Sequence, residues 1–407
     1  MSSPPGPKRP LSSSARAIRE SIFSRLAGRL LRHGEDAVPL HLGDTILRPP
    51  PGLALDGEDP ALFRYGAPAG EASLLAAVVA ALRAERGLDW VEVGDVQITV
   101  GGTAALAATA RVLLEPGDEV LVPTPCWPLM RGILTNAGAV PVEVSLSQRL
   151  YADPALDPAA LLAAAITPRT VALYLTTPNN PDGKVLSRAQ LEAIGAFAAA
   201  HDLWVIGDEA YRDFLYDGKS HVPIASVPSL ASRTVTALSF SKSYALAGWR
   251  LGVVVGPRGR RDVTAAIRKV ANHTVYNVPD VVQRAVAPVV APSSDEEGPR
   301  AAWLAEARRR YDEARRLAAS LCPVPFTMPE GATYLFADFS SAVRDGEDSI
   351  WPLVEELLDE GVSISPGEQF GAGFERHARL CFTAVPPERL KIGLLRVRRV
   401  LERRRSP

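Results

Sequence analysis

Between about residues 95 and 290 the chain alternates short, β-branched and mostly apolar runs with stretches of helical periodicity and turn residues. The runs are VQITV (96–100), EVLVP (119–123), VALYL (171–175), LWVIG (203–207), TVTAL (234–238) and GVVVG (252–256). A strand with no polar alternation has to be covered on both faces, and strands separated by helices are joined by crossovers. The pattern therefore predicts an α/β fold: a three-layer α/β/α large domain on a mostly parallel sheet. In such a sheet, ligands collect at the carboxyl ends of the strands.

The chain has 407 residues, 47% of them hydrophobic, which is more than one domain usually holds, so a smaller second domain is expected. The segment APSSDEEGP (291–299) has the composition of a linker. Beyond it, a helix from 301 to about 320 can place Leu304, Tyr311, Leu317 and Leu321 on one side, with its arginines as a solvated face. Strand candidates at 333–338 and 378–383, a helix between them and another at the C-terminus complete a small α+β domain. At the other end, residues 1–15 are rich in Ser and Pro and are expected to form a flexible arm. In 16–47, Ile18, Ile22, Leu26 and Leu30 recur every fourth residue, as in an amphipathic helix. The expected division is thus an arm at 1–15, an N-terminal segment at 16–47 packing with the small domain, a large ligand-binding domain at 48–291 and a C-terminal small domain at 292–407.

With 45 basic and 46 acidic residues the formal net charge is −1, so no global field draws the chain to nucleic acid or anionic lipid. Any anion site has to be built locally. Cys126, Cys322 and Cys381 are far apart and lack metal or CxxC spacing, which fits a reducing compartment and no metal. The N-terminus has no apolar core of a signal peptide, and no run approaches a membrane span. A cytoplasmic protein is expected.

Six lysines remain among those 45 basic residues. Lys242 stands in SFSKSYALAGWR (239–250), just past the run TVTAL, where the sheet leaves its crevice. Alone it would read as a surface residue. Ser239 and Ser241 beside it, and the planar fork of Arg250 eight residues on, can clamp a phosphate dianion. A lysine next to a phosphate clamp suggests a covalently held phosphorylated aldehyde. In VGGTAALAATARVLL (100–114), glycines run straight into a helix, where Gly102 and Thr103 can bind the same anion. The spacing is neither GxGxxG nor Walker A, which disfavours a nucleotide; the bland alternative is a tight turn.

Asp208 ends the run LWVIG and points into the crevice, unless it serves as a helix N-cap. Against the ring nitrogen of pyridoxal phosphate, a carboxylate keeps that nitrogen protonated and the ring an electron sink. Tyr211 and Asn180, the latter in TTPNNPDGKVL (176–186), can hydrogen-bond the ring's phenolic oxygen. Trp127, in VPTPCWPLM (122–130), can stack on a flat ring, although most tryptophans are simply core. Arg379, in HARLCFTA (377–384), opens an apolar run, an expensive place for a guanidinium without an anion. An amino acid's carboxylate would satisfy it bidentately, and so would a structural ion pair.

The order and spacing of GGT, PCWP, NNPDG, DEAY and SFSKSYALAGWRLG, with PGEQFG and ARLCF near the end, resembles the class I/II aminotransferases. These belong to the aspartate aminotransferase superfamily of fold-type-I pyridoxal-phosphate enzymes, and the resemblance runs from about residue 38 to 400. It implies a homodimer with shared active sites that moves amino groups from L-amino acids to 2-oxo acids. It also implies Lys242 as the Schiff-base lysine and Asp208 at the pyridine nitrogen, with Asn180 and Tyr211 at the phenolic oxygen and Trp127 on the ring. Gly102, Thr103, Ser239, Ser241 and Arg250 then hold the phosphate, together with Tyr65 from RYGAPAG (64–70) of the neighbouring subunit. Arg379 takes the substrate carboxylate, Asn180 lies against the substrate, and Gly43, in LHLGDT (40–45), leaves room for it.

The sequence departs from its relatives at Cys126 and Thr333, where an aromatic or serine and an aromatic are common, so an unusual side-chain pocket is expected. No second carboxylate-binding arginine is found; ANHTVYNVPD (271–280) offers His273, Tyr276 and Asn277 instead. Aspartate is therefore not the favoured substrate. The same electron sink serves elimination and ring closure, so a lyase or cyclase of specialised amino-acid metabolism is an alternative. A non-catalytic pyridoxal-binding regulator is another, although only about 35 residues precede the family-like region, too few for a winged helix.

Overall fold

All six apolar runs become neighbours in one sheet. The structure, a computed structural model, describes residues 11–18, 22–55, 57–292 and 298–405. In chain order the strands are β1 Val38–Pro39, β2 Val96–Val100, β3 Glu119–Thr124, β4 Val140–Ser145, β5 Thr170–Thr176, β6 Trp204–Asp208, β7 Thr234–Ser239, β8 Leu251–Val255, β9 Tyr334–Asp338, β10 Val362–Ser363, β11 Ser365–Pro366 and β12 His377–Cys381. The seven-stranded sheet has the order β2-β8-β7-β6-β5-β3-β4. Only β8 pairs antiparallel with its neighbours β2 and β7; the other pairs are parallel.

Alternate residues of each central strand enter different cores, as the period of two requires. Val120, Val122, Ala172, Tyr174 and Ile206 pack with helices Gly101–Leu113, Pro128–Ala137 and Arg261–Thr274. Leu121, Leu173, Leu175 and Val205 pack on the other side with helix Arg188–Ala200. Strand β4 is absent from the sequence expectation for a physical reason. It lies at the sheet edge, exposes Val140 and carries Pro141 and Glu143, so it lacks the continuous apolar run of a strand covered on both faces.

A three-stranded antiparallel sheet, β11-β12-β9, forms the second layer system. The flanking helices are Pro299–Leu321, Trp351–Asp359 and Pro387–Arg405. Tyr311 is buried in this core with Leu304, Leu317 and Leu321 partly buried against it, on the side that the periodicity predicts. Of the arginines on helix Pro299–Leu321, Arg309 and Arg310 pair with acids at the surface. Arg315 departs from the solvated face: it is buried, stacks on Tyr216 at 4.4 Å and pairs with Asp217 at 2.7 Å.

The N-terminal segment joins the same core. Strand β1 pairs in parallel with β10, and Leu26, Leu30, Val38 and Leu40 are buried there. Where a single helix is expected from 16 to 32, one helix, Ser13–Ala17, ends at the extended Ile18 and another spans Ile22–Leu30. The first of these begins inside the stretch expected to be a flexible arm, and Ser12 caps it by accepting from the Ala15 N–H at 3.3 Å. The rest of that arm, residues 1–10, and the centre of the expected linker, 293–297, lie outside the described residues.

Candidate active site

The carboxyl ends of β5, β6 and β7 and the start of helix Gly101–Leu113 surround a crevice of about 240 Å³. Thr176, Asp208 and Ser239 are the last residues of those three strands, and register pairs Thr176 with Asp208. Side chains leaving the sheet here meet no following strand, so they face the crevice.

Lys242 lies on the short helix Phe240–Ser243, which continues directly from β7 and is capped by Ser239, whose hydroxyl accepts from the Ser241 N–H at 3.2 Å. The lysine is half-buried, and its Nζ donates to the carbonyl of Gly43. Arg250 adopts a left-handed φ of +55°, a conformation that costs a residue with a Cβ about 1–3 kcal/mol. That backbone lays its guanidinium over Gly101, where a Cβ would stand 3.0 Å from Cζ. Among the described residues Arg250 has no carboxylate partner; its Nη1 donates to the Ala247 carbonyl at 2.9 Å. Gly102, Thr103, Ser239 and Ser241 line the same corner. The free N–H groups of a helix start, three hydroxyls and an unpaired guanidinium make a donor set for a phosphate.

Arg379, which lines the same crevice, is 3% exposed and no carboxylate pairs with it among the described residues, which removes the structural ion pair as its explanation. Its Nη1 donates to Asn180 Oδ1 at 2.9 Å and its Nη2 to the His41 carbonyl at 2.8 Å, while Nε has no partner. A buried unpaired guanidinium is costly by several kcal/mol, of order 3–5, and an incoming carboxylate offsets that cost. Because the guanidinium takes the oxygen of Asn180, the amide nitrogen is left as the donor to the crevice. His41 itself is buried, with Nδ1 2.6 Å from Ser363 Oγ, and burial and then the Arg379 charge push its pKa down to about 4.

At the end of β6, Asp208 accepts from the Tyr174 hydroxyl at 3.0 Å and from the Ala210 N–H at 3.1 Å. No helix starts there, so the carboxylate is not an N-cap. Burial raises its pKa, opposed by these donors. Trp127, at the start of helix Pro128–Ala137, and Tyr211 also line the crevice. The Tyr211 hydroxyl bonds that of Tyr334, and burial holds its pKa well above the ordinary phenol range.

All the expected site residues except Tyr65 meet in this one crevice. Tyr65 is 87% exposed and stacks edge-on against Tyr276 with ring centroids 5.1 Å apart. The expected unusual pocket residues are corrected. Cys126 is wholly buried behind the site among Val120, Met130 and Tyr174, its thiol pushed up to about 12 chiefly by burial. Thr333 is buried without lining the crevice, and the next residue, Tyr334, lines it instead. His273, Tyr276 and Asn277 line a separate cavity with Ile98 and Val275. Sequence reading misses Gly101, Tyr174, Thr176 and Tyr334. The signal for two of them was present: Tyr174 and Thr176 are polar at a period of two in an otherwise apolar strand.

A phosphate corner, an amine, a carboxylate at a strand end and a flat indole fit pyridoxal phosphate in one crevice, and the fold and site define a fold-type-I pyridoxal-phosphate enzyme. Residues 49–397 match the aminotransferase class I and II family, and the chain belongs to it. It is 36% identical over 296 residues to an arginine–pyruvate transaminase of Pseudomonas aeruginosa, 71% of this chain and 70% of the relative. Over 386 residues it is 31% identical to an aspartate aminotransferase of Geobacillus stearothermophilus, covering 93% and 94%. The structure of Thermus thermophilus aspartate aminotransferase with maleate superposes with a TM-score of 0.85 at 30% identity, covering 96% of this chain and 100% of that one. The protein is thus a pyridoxal-phosphate-dependent aminotransferase, moving amino groups between amino acids and 2-oxo acids. Among the described residues no helix is long and apolar enough to cross a membrane.

Proposed function

We propose that Lys242 is the amine that holds the cofactor's aldehyde carbon and the base that carries the substrate's proton. When bound, pyridoxal phosphate supplies an electron sink for the charge left at the substrate Cα. Arg250, Ser239, Ser241, Gly102 and Thr103 bind the phosphate, and Trp127 covers the ring. Asp208 holds the proton of the ring nitrogen, and Tyr211 and the amide nitrogen of Asn180 donate to the phenolic oxygen. Arg379 clamps the substrate carboxylate, orienting the Cα hydrogen toward Lys242 Nζ. Once the substrate's amino group has displaced it from the cofactor, the freed Lys242 Nζ would be placed to accept and carry that proton; proximity would contribute much of the rate.

The observation that carries this reading is that two guanidiniums with no carboxylate partner among the described residues, Arg250 and Arg379, line the same crevice as Lys242. All three cations that the described residues of one subunit bring to it are then committed, which favours amino acids with uncharged side chains. Lys242→Ala tests the assignment: the visible absorbance of the reconstituted protein should vanish and turnover should fall by about 10²–10⁴. A variant that transaminates near normally would refute it.

The exposed Tyr65 supports a homodimer in which it reaches the partner's phosphate. Lys242→Ala and Tyr65→Ala subunits, each impaired alone, should regain activity when mixed, because one site of the hybrid is intact. No gain on mixing would argue for self-contained sites. The free thiols Cys126, Cys322 and Cys381 support a cytoplasmic location.

A further inference from the structure

The crevice holds a second phenol to which the proposed chemistry assigns no task. Tyr334 opens β9, is 1% exposed, and bonds hydroxyl to hydroxyl with Tyr211, their rings edge to face at 5.6 Å and 71°. The Arg379 guanidinium lies over its ring, 4.2 Å from the centroid. Gly43 meets it from a third direction. The backbone at Gly43 is not left-handed, so the glycine is not there for its φ. A Cβ at that position would collide with the Tyr334 hydroxyl and stand 3.1 Å from Cζ. The carboxylate clamp, the phenol at the ring oxygen and the glycine of the N-terminal segment thus converge on one side chain.

We propose that Tyr334 is a positioning residue: its hydroxyl donates to the Tyr211 oxygen and thereby aims the Tyr211 O–H at the cofactor's phenolic oxygen. This rests on the reading of Tyr211 given above. A phenol has one hydrogen to give, so if Tyr211 spends its own on the cofactor, the bond between the two hydroxyls has to run from Tyr334 to Tyr211. Donation into the Tyr211 oxygen polarises its O–H and strengthens the bond beyond it, as in any chain of hydrogen bonds. Tyr211 remains protonated, and so a donor, because burial keeps its pKa high. Gly43 is then required to seat Tyr334, and the room that it leaves is filled by that hydroxyl. Because the same ring carries Arg379 on its face, the carboxylate clamp and the ring-oxygen donor share one support.

The test is a pH titration of the visible band of the reconstituted holoenzyme. Hydrogen bonds to the phenolic oxygen favour its charged form and lower the midpoint, so a weaker donor raises it. Tyr334→Phe should move the midpoint upward by about half a pH unit or more. Gly43→Ala should produce the same shift by pushing the hydroxyl aside, and the double variant should show no further change. Tyr211→Phe should shift the midpoint at least as far and make Tyr334→Phe silent. An unmoved midpoint in Tyr334→Phe, or shifts at 43 and 334 that add, overturns the proposal even if activity falls. Wild-type protein that takes up no colour overturns the cofactor reading itself, whereas colour with an unmoved midpoint sinks only the role of Tyr334.

Discussion

Asp208 accepts from the Tyr174 phenol and the Ala210 N–H, and among the described residues no cation pairs with it. Burial raises its pKa, so its ionised form is held at a cost that a protonated ring nitrogen would offset. The sign of the linkage is definite. A carboxyl whose folded pKa lies above its unfolded value stabilises the fold at low pH and loses that contribution as pH rises through the folded value. At neutral pH Asp208→Asn should therefore leave the cofactor-free protein as stable as the wild type or more so. The same change should weaken cofactor binding by about tenfold or more, since a charged hydrogen bond contributes roughly 1.5–3 kcal/mol. Melting curves with and without pyridoxal phosphate check both, and a variant that melts lower in the cofactor-free state contradicts the argument. The residues legible in the sequence are those, like Asp208 and Lys242, that follow an apolar run and carry a charge. Tyr334 was not legible, because choosing between it and Thr333 requires knowing which face of the strand meets the crevice.

The phosphate corner depends on two elements meeting without side chains between them. Strand β8 passes the turn where β2 becomes helix Gly101–Leu113, and a Cβ at Gly252 would lie 2.6 Å from the Gly102 nitrogen. Backbone cannot give way as a flexible side chain can, so Gly252→Ala should destabilise by about 1–3 kcal/mol. It should also weaken cofactor binding, because the helix start that faces the phosphate shifts with it. Gly248 has open space around its Cβ position, and Gly248→Ala should stay within about 0.5 kcal/mol. Denaturant midpoints for the pair check this; equal effects would remove the close approach as the cause. The central strands were legible because burial on both faces demands continuous apolar runs. Edge strand β4 was not, since a half-covered strand tolerates polar residues and Pro141.

Across the whole molecule, Glu209 lies under the site with its carboxylate accepting from the Ile224 N–H at 2.8 Å, and burial raises its pKa to about 7. Its contribution to stability is in full effect below the ordinary value of 4.5 and is lost as pH rises through about 7. Glu209→Gln keeps an oxygen for Ile224 and removes the titration. Its melting temperature should accordingly change less than that of the wild type between about pH 5 and pH 8. Parallel curves for the two proteins would show that Glu209 does not titrate in that range.

Local chemistry alone determined that a mostly parallel sheet forms, that its crevice lies at the strand ends and that Lys242, Asp208 and Arg250 belong there. Burial, crossover geometry and charge cost act within a few residues of each position. The tertiary structure alone decided that Arg379 has no acid beside it among the described residues and that Cys126 lies behind the site. It also decided that His273, Tyr276 and Asn277 line another cavity and that Tyr334 fills the space at Gly43. Those facts depend on which surfaces meet across hundreds of residues, and spacing along the chain carries no information about such contacts.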